Sequence, residues 1–259
     1  MREQAGMTLE EAAVLLDKTK SALQRVEKGE TRLDVHLARS MMDKYDFYDP
    51  NLLDEARKAY QKPWIPRSKK DYGYVDVETA ASEVNEFAAL VVPGLLQVVP
   101  YIDAVLATGP ARLPHEARAQ REIRLARQQR LTDTEWPLTL NAVVDEAAIR
   151  REIGGPVVMR QQVRHLMSVA ALPTVNLQVL PFRRGAHHSL EGGFVYLTFP
   201  SPEEQPLLYV AHLAGSSHID DDEAVCQAKA HFERLRTAAL SPTGTVELLE
   251  RLGDELYGL

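Results

Sequence analysis

One segment limits the possible folds more than any other: two short helices joined by a tight break, between Thr8 and Gly29. Thr8 with Glu11 three residues on is a capping-box start, and the apolar stretch behind it ends at Leu16. Asp17-Lys18-Thr19 makes the break, and Thr19 or Lys20 opens the next helix. Ala22, Leu23 and Val26 give that helix its inner face, and Gly29 is placed to end it in a left-handed cap. Helices crossing this closely need a small residue at the contact, which Ala12 or Ala13 supplies. Apolar side chains must fix the angle between them, and Leu9, Leu16, Leu23 and Val26 have the offsets for it. A helix-turn-helix also needs long polar side chains facing outward at the start of its second helix, because these enter the major groove. Lys20, Ser21, Gln24 and Arg25 meet that need, since 20/24 and 21/25 are each about one helical turn apart.

The run GMTLEEAAVLLDKTKSALQRVEKGETRLDVHLARSMMDKYDF resembles the xenobiotic-response-element (XRE) family of repressor-like regulators, including Glu27-Lys28-Gly29 after the second helix. The resemblance implies that Thr19 caps the recognition helix and touches a phosphate. It implies that Lys20, Ser21 and Arg25 face base edges, that Gln24 flanks them, and that Thr31 and Arg32 hold the DNA backbone. Arg and Lys favour the N7/O6 edge of guanine. The chain departs from the family at Leu9, where Gln is usual. The family's first helix also has another turn or two ahead of MREQAG, so a truncated first helix is expected.

Charge separates the chain into two parts. Residues 1–70 carry 14 Lys+Arg against 12 Asp+Glu, a net of +2, whereas residues 71–259 carry 16 against 25, a net of −9. Residues 57–70 hold six basic side chains and no acidic one, and 18–44 hold seven against four. A mildly basic module on an acidic body suits local contact with a polyanion. Further short helices are expected over about 34–45 and 50–60. Pro63, Pro66 and the basic run that follows then break the pattern. The expected domains are 1–62 (helix-turn-helix), 63–73 (basic, Pro-containing linker) and 74–259 (effector and dimerisation). In the last, helices are expected over about 75–90, 95–107, 115–132, 145–153, 157–171, 223–239 and 243–252. Strands are expected at 138–144, 174–181, 193–199 and 207–213. The fold class is therefore a small all-α domain followed by a larger α+β domain, a mixed sheet with flanking helices.

Stretches of this second part resemble the C-terminal domain of actinobacterial XRE regulators of WhiJ-like layout. They are VVPGLLQVVPYIDAVL (91–106), REIRLARQQRL (121–131), VVDEAAIRREIGGPVVMRQQVRHL (143–166), VNLQVLPFRRGAHHSLEGGFVYLTF (175–199) and ALSPTGT (239–245). The resemblance implies a DNA-binding regulator, often encoded beside a small partner protein in an antitoxin-like pairing, with no catalytic residue to carry over. Relatives often have an acid at the position of Ala211.

Signals for catalysis are weak. The element order from 138 to 239 is similar in topology to the phospholipase-D-like fold, but His187-His188-Ser189-Leu190 lacks the required lysine. Ser189 has no nucleophile-elbow glycines. His187, His188, His212 and His218 lack the spacing of a zinc helix. Gly192-Gly193 reads as a turn, Gly154-Gly155 as a helix stop, and Asp220-Asp221-Asp222-Glu223 as a helix start. Arg118, Arg121, Arg124, Arg127 and Arg130 form a spiral stripe, available either to DNA or an acidic partner or to internal salt bridges. Cys226 is expected to be buried. With one cysteine, no secretory h-region and no run of about 18 apolar residues, a cytoplasmic protein is expected. The expectation is a nucleoid-associated, symmetric homodimer on double-stranded DNA, not an enzyme, with no cofactor or metal. Its C-terminal domain senses an unknown small-molecule effector or a small partner protein. The alternative is an antitoxin-like module that sequesters a small partner, with DNA binding secondary.

Overall fold

The computed structural model describes residues 1–27, 33–49, 51–53, 56, 74–109, 113–201 and 204–258. It divides into two compact units, Met1–Arg67 and Ser68–Leu259.

The first unit contains α1 (Leu9–Leu15), α2 (Lys20–Glu27) and α3 (Val35–Tyr45). Leu16, Leu23, Leu37, Met41 and Tyr45 pack around Ala12 and Ala13, with Leu9 and Val26 at the margin. Leu23 and Val26 of the expected inner face are thus in place, and Ala22 is half-buried. Of the helix expected over about 50–60, residues 51–53 and 56 are described, and they are helical. Gly29 lies outside the described residues, as do the linker positions 63–73.

The second unit is built on a six-stranded sheet in the order β3-β2-β1-β4-β5-β6. The strands are β1 (Glu83–Ala88), β2 (Thr139–Asp145), β3 (Val175–Leu180), β4 (Phe194–Thr198), β5 (Leu207–His212) and β6 (Gly215–Ile219). β1, β2 and β3 run parallel, and β4, β5 and β6 alternate antiparallel from there. The helices are α4 (Tyr74–Ala80), α5 (Val99–Ala107), α6 (Pro114–Gln128), α7 (Glu146–Arg150), α8 (Pro156–Val169), α9 (Asp222–Ala238) and α10 (Pro242–Tyr257). Val84, Leu140, Ala142, Val144 and Leu177 face one core with residues of α8 and α10. Phe87, Val143, Leu180 and Tyr196 point the other way, onto Phe232 and Leu235 of α9.

Two expectations need correction here. The helix expected over 75–90 stops at Ala80, and 83–88 is the central strand β1. Its sequence, EVNEFA, is poor in β-branched residues, and pairing on both edges overrides that local preference. The unexpected sixth strand, β6, has the sequence GSSHI and is carried by its hairpin with β5. Gly193 lies just ahead of β4, where a Cβ would sit 2.6 Å from the Phe87 carbonyl oxygen. Only glycine permits that approach.

Candidate DNA-reading helix and effector cavity

The turn between α1 and α2 is built by local hydrogen bonds. The Thr8 N–H donates to Glu11 Oε2 at 2.8 Å and the Glu11 N–H to Thr8 Oγ1 at 3.3 Å, completing the capping box. The Lys18 N–H closes α1 on the Ala13 carbonyl at 2.9 Å, which requires Asp17 to take a left-handed φ of 51°. Aspartate tolerates that region better than most residues. Thr19 Oγ1 accepts from the Ala22 N–H at 3.2 Å, so Thr19 caps α2. Leu23 and Ala12 are both fully buried. Thr19, Lys20, Ser21, Gln24 and Arg25 are all exposed. The Lys20 ammonium pairs with the Glu10 carboxylate and, by donating to it, lowers the pKa of Glu10. Thr31 and Arg32 lie outside the described residues.

One contact was not foreseen. The Arg2 guanidinium forks onto Glu27 at 2.7 and 2.9 Å and also donates to the Met7 carbonyl at 2.8 Å. Glu27, which the sequence offered only as part of a family pattern, ties the end of α2 to the start of the chain. A bidentate Arg–carboxylate contact fixes geometry better than a lysine could.

In the second unit a cavity of about 810 Å³ opens at the carboxyl ends of β1 and β2. β1 is the strand where the sheet changes direction, parallel to β2 on one side and antiparallel to β4 on the other. Residues 181–193 carry the chain from β3 past the ends of β2 and β1 to β4. Reversal points of this kind leave a crevice in open sheets. His187 from this crossing lies 3.9 Å from Asp145 at the end of β2, with its ring edge-on to Phe87 at the end of β1.

Below the cavity lies a buried ion pair. Arg127 of α6 donates to both carboxylate oxygens of Glu78 on α4, at 2.6 and 2.5 Å. Burial alone would lower the Arg127 pKa, but the Glu78 carboxylate more than offsets this and the value is raised. Arg130 donates at 2.7 Å to the carbonyls of Glu78 and Ala81, which satisfies the carboxyl end of α4. Glu86 of β1 lines the cavity on the same sheet face as Val195 of β4 and Tyr209 of β5. Desolvation, followed by repulsion from Glu78, pushes its carboxyl up to about 7, with Arg127 opposing. Tyr74 and Tyr209 stand with ring centroids 4.5 Å apart, and the Arg127 guanidinium lies over the Tyr74 ring at 5.2 Å. Desolvation holds the Tyr74 hydroxyl well above its ordinary pKa.

Residues 73–251 match the family described as a domain of unknown function (DUF5753), and residues 1–56 match a helix-turn-helix domain. The chain belongs to the DUF5753 family. No curated protein and no solved structure matches it. A helix-turn-helix domain followed by a DUF5753 domain is an XRE-like two-domain arrangement, typical of regulatory rather than catalytic proteins.

Within the DUF5753 domain the arginine stripe runs from an exposed start to a buried end and is paired within the domain. Arg118 pairs with Glu122, Arg121 with Asp103, and Arg124 donates to Gln97 Oε1 at 2.7 Å, while Arg127 and Arg130 are buried. Of the two alternatives for this stripe, internal pairing is the one observed. His187 and His188 lie on the crossing to β4, His212 ends β5 and His218 lies in β6; His188 stacks on His231, and His212 meets Ser217 at 3.3 Å. Among the described residues no group of three or more His, Cys, Asp or Glu is arranged to hold a metal ion. Ser189 Oγ donates to the Gly192 carbonyl at 2.5 Å, stabilising the turn before β4. Asp221 caps α9 by accepting from the Ala224 N–H at 2.9 Å, as a helix start should. Cys226 is exposed on α9, not buried, because the inward positions go to Val225, Ala228, Phe232 and Leu235. No described helix is long and apolar enough to cross a membrane.

Proposed function

We propose that this chain is a sequence-specific transcriptional regulator that reads double-stranded DNA with α2 and responds to a small molecule in the cavity of its DUF5753 domain. The observation that carries the reading is the outward polar face of α2, opposite a face anchored by Leu23. In this reading Thr19 contacts a phosphate, Lys20, Ser21 and Arg25 meet base edges, and Gln24 flanks them. Thr31 and Arg32 grip the backbone. The protein acts at the cytoplasmic nucleoid as a homodimer, which sets two recognition helices one DNA turn apart, roughly 34 Å. Residues 1–62 form the reading domain, 63–73 the linker, and 74–259 the sensing and dimerising domain, with a WhiJ-like layout.

The test is selection of genomic fragments by the full chain, followed by anisotropy titrations at several salt concentrations. A palindromic site is expected, with log affinity falling linearly in log salt. Arg25→Ala should remove about 1–3 kcal/mol of preference at one base pair. An enriched site bound equally well by Arg25→Ala would remove α2 from the mechanism.

A second reading, the antitoxin-like sequestration of a small partner protein, draws on the open edge of the sheet. β6 pairs with β5 at the end of the strand order, and Leu213 at the hairpin tip is fully exposed. It requires partner binding that survives Arg25→Ala.

A further inference from the structure

The cavity at the β1 switch point has an uneven inventory of charge. Its charged lining residues are Glu86, Asp145, Glu191, Arg124 and Arg127. Both arginines are engaged, Arg127 by Glu78 and Arg124 by Gln97. Asp145 caps α7 through the Ala147 N–H at 2.8 Å and faces His187 with its other oxygen. Glu191 is exposed on the loop ahead of β4. Glu86 is half-buried in the cavity wall and is shaped by desolvation and by the charges of Glu78 and Arg127. Among the described residues no hydrogen bond reaches this carboxyl, and burying one without a partner is costly.

The walls on its face of the sheet are aromatic and apolar: Tyr74 and Tyr209, with Val105 and Ile123. Ring faces attract cations and ring edges do not, so a carboxylate beside aromatic walls favours a positively charged guest. An anionic guest would meet Glu86, Asp145 and Glu191 with both arginines already occupied. A volume of about 810 Å³ suits a drug-sized molecule.

We propose that the effector of this domain is an organic cation, a protonated amine on an apolar or aromatic body, with its nitrogen against Glu86 and its body beside Tyr74 and Tyr209. This rests on reading the cavity as the effector site. The groups that face Glu86 are Tyr74 and Glu78 of α4 and Arg127 of α6, with Tyr209 two strands away in the same row. A cation binds the ionised carboxylate, so its binding at pH 6 releases a proton from Glu86, and at pH 8 it releases almost none.

The experiment uses the full chain and three probes with one shared body: 4-phenylbutylamine, 4-phenylbutan-1-ol and 4-phenylbutanoate. Affinities are read by ligand-observed NMR titration and heats by calorimetry in buffers of different ionisation enthalpy. The proposal expects the amine to bind at least ~10-fold tighter than either analogue, a charge-pair preference. That advantage should disappear in Glu86→Gln, while the alcohol binds wild type and variant alike. The amine affinity should rise ~10-fold from pH 6 to pH 8 in wild type and stay flat in Glu86→Gln. If the alcohol or the acid binds as tightly as the amine, or Glu86→Gln keeps the amine preference, the cation assignment falls and the cavity remains an effector site. If none of the three binds the folded protein, both readings fall.

Discussion

In the first unit Lys20 and Arg25 stand on the outside of α2, whereas in the second Arg127 and Arg130, from an equally regular series, lie inside the domain. The difference is in what surrounds each helix. α2 has one apolar face and leaves its polar one to solvent. α6 begins exposed at Arg118 and runs inward, so successive arginines of the spiral meet first Glu122 and Asp103, then Gln97, then Glu78 and the end of α4. Regular spacing of basic residues therefore says where side chains point along a helix, not whether they are available to a partner. Availability is decided by elements far away in sequence.

The comparison can be broken most directly at Glu78. Glu78→Gln leaves the Arg127 charge buried without its counter-ion, and urea denaturation should show a loss of about 3–5 kcal/mol in the second unit. Replacing both partners, with Arg127→Met added, should restore most of it. A small effect of Glu78→Gln alone would mean that the pair is open to water and the contrast with α2 is one of degree.

Glu86 gives the next effect, with the opposite sign. Its folded pKa is about 7 against an ordinary 4.5, so the folded state holds the proton more tightly. Stability therefore falls as pH rises from about 4.5 to 7 and stays lower above that, by about 3 kcal/mol for this group. Glu86→Gln should stabilise the protein at pH 8 by up to that amount and hardly at all at pH 4.5. Thermal melts of wild type and variant across this range check it. Thr8→Ala removes the α1 cap and should cost the first unit ~1 kcal/mol, seen as a lower melting temperature. The smallest change sharpens the contrast: Arg118→Ala, at the exposed start of the stripe, should shift stability by less than ~0.5 kcal/mol.

Much of the first unit was legible in its sequence, because its contacts are local. The Thr8–Glu11 box, the Asp17 turn and the Ala12–Leu23 packing all lie within sixteen residues of one another. The Arg2–Glu27 fork was not, since neither residue signals the other by spacing. In the second unit, β2, β3, β4 and β5 were expected from their apolar runs, but Asn, Glu and Ala in β1 and Gly and Ser in β6 carry no such signal. The cavity was not legible at all. Its walls come from α4, β1, α6, the end of β2 and residues 187–195, which are neighbours only once the sheet has formed. Glu78 looked like any helical glutamate until α6 was laid beside it.

The place of β1 in the sheet also bears on how the chain is made. Glu83 of β1 pairs with Thr139 of β2 and with Thr198 of β4, so its last partner is synthesised 115 residues after it. Closing such long loops slows folding, and a strand waiting for its partners is open to pairing with other chains. A waiting segment rich in Val, Ile and aromatic residues would invite that. EVNEFA, with two acids and an asparagine among six residues, resists it on the ribosome, and it becomes a central strand only when the domain around it is nearly complete.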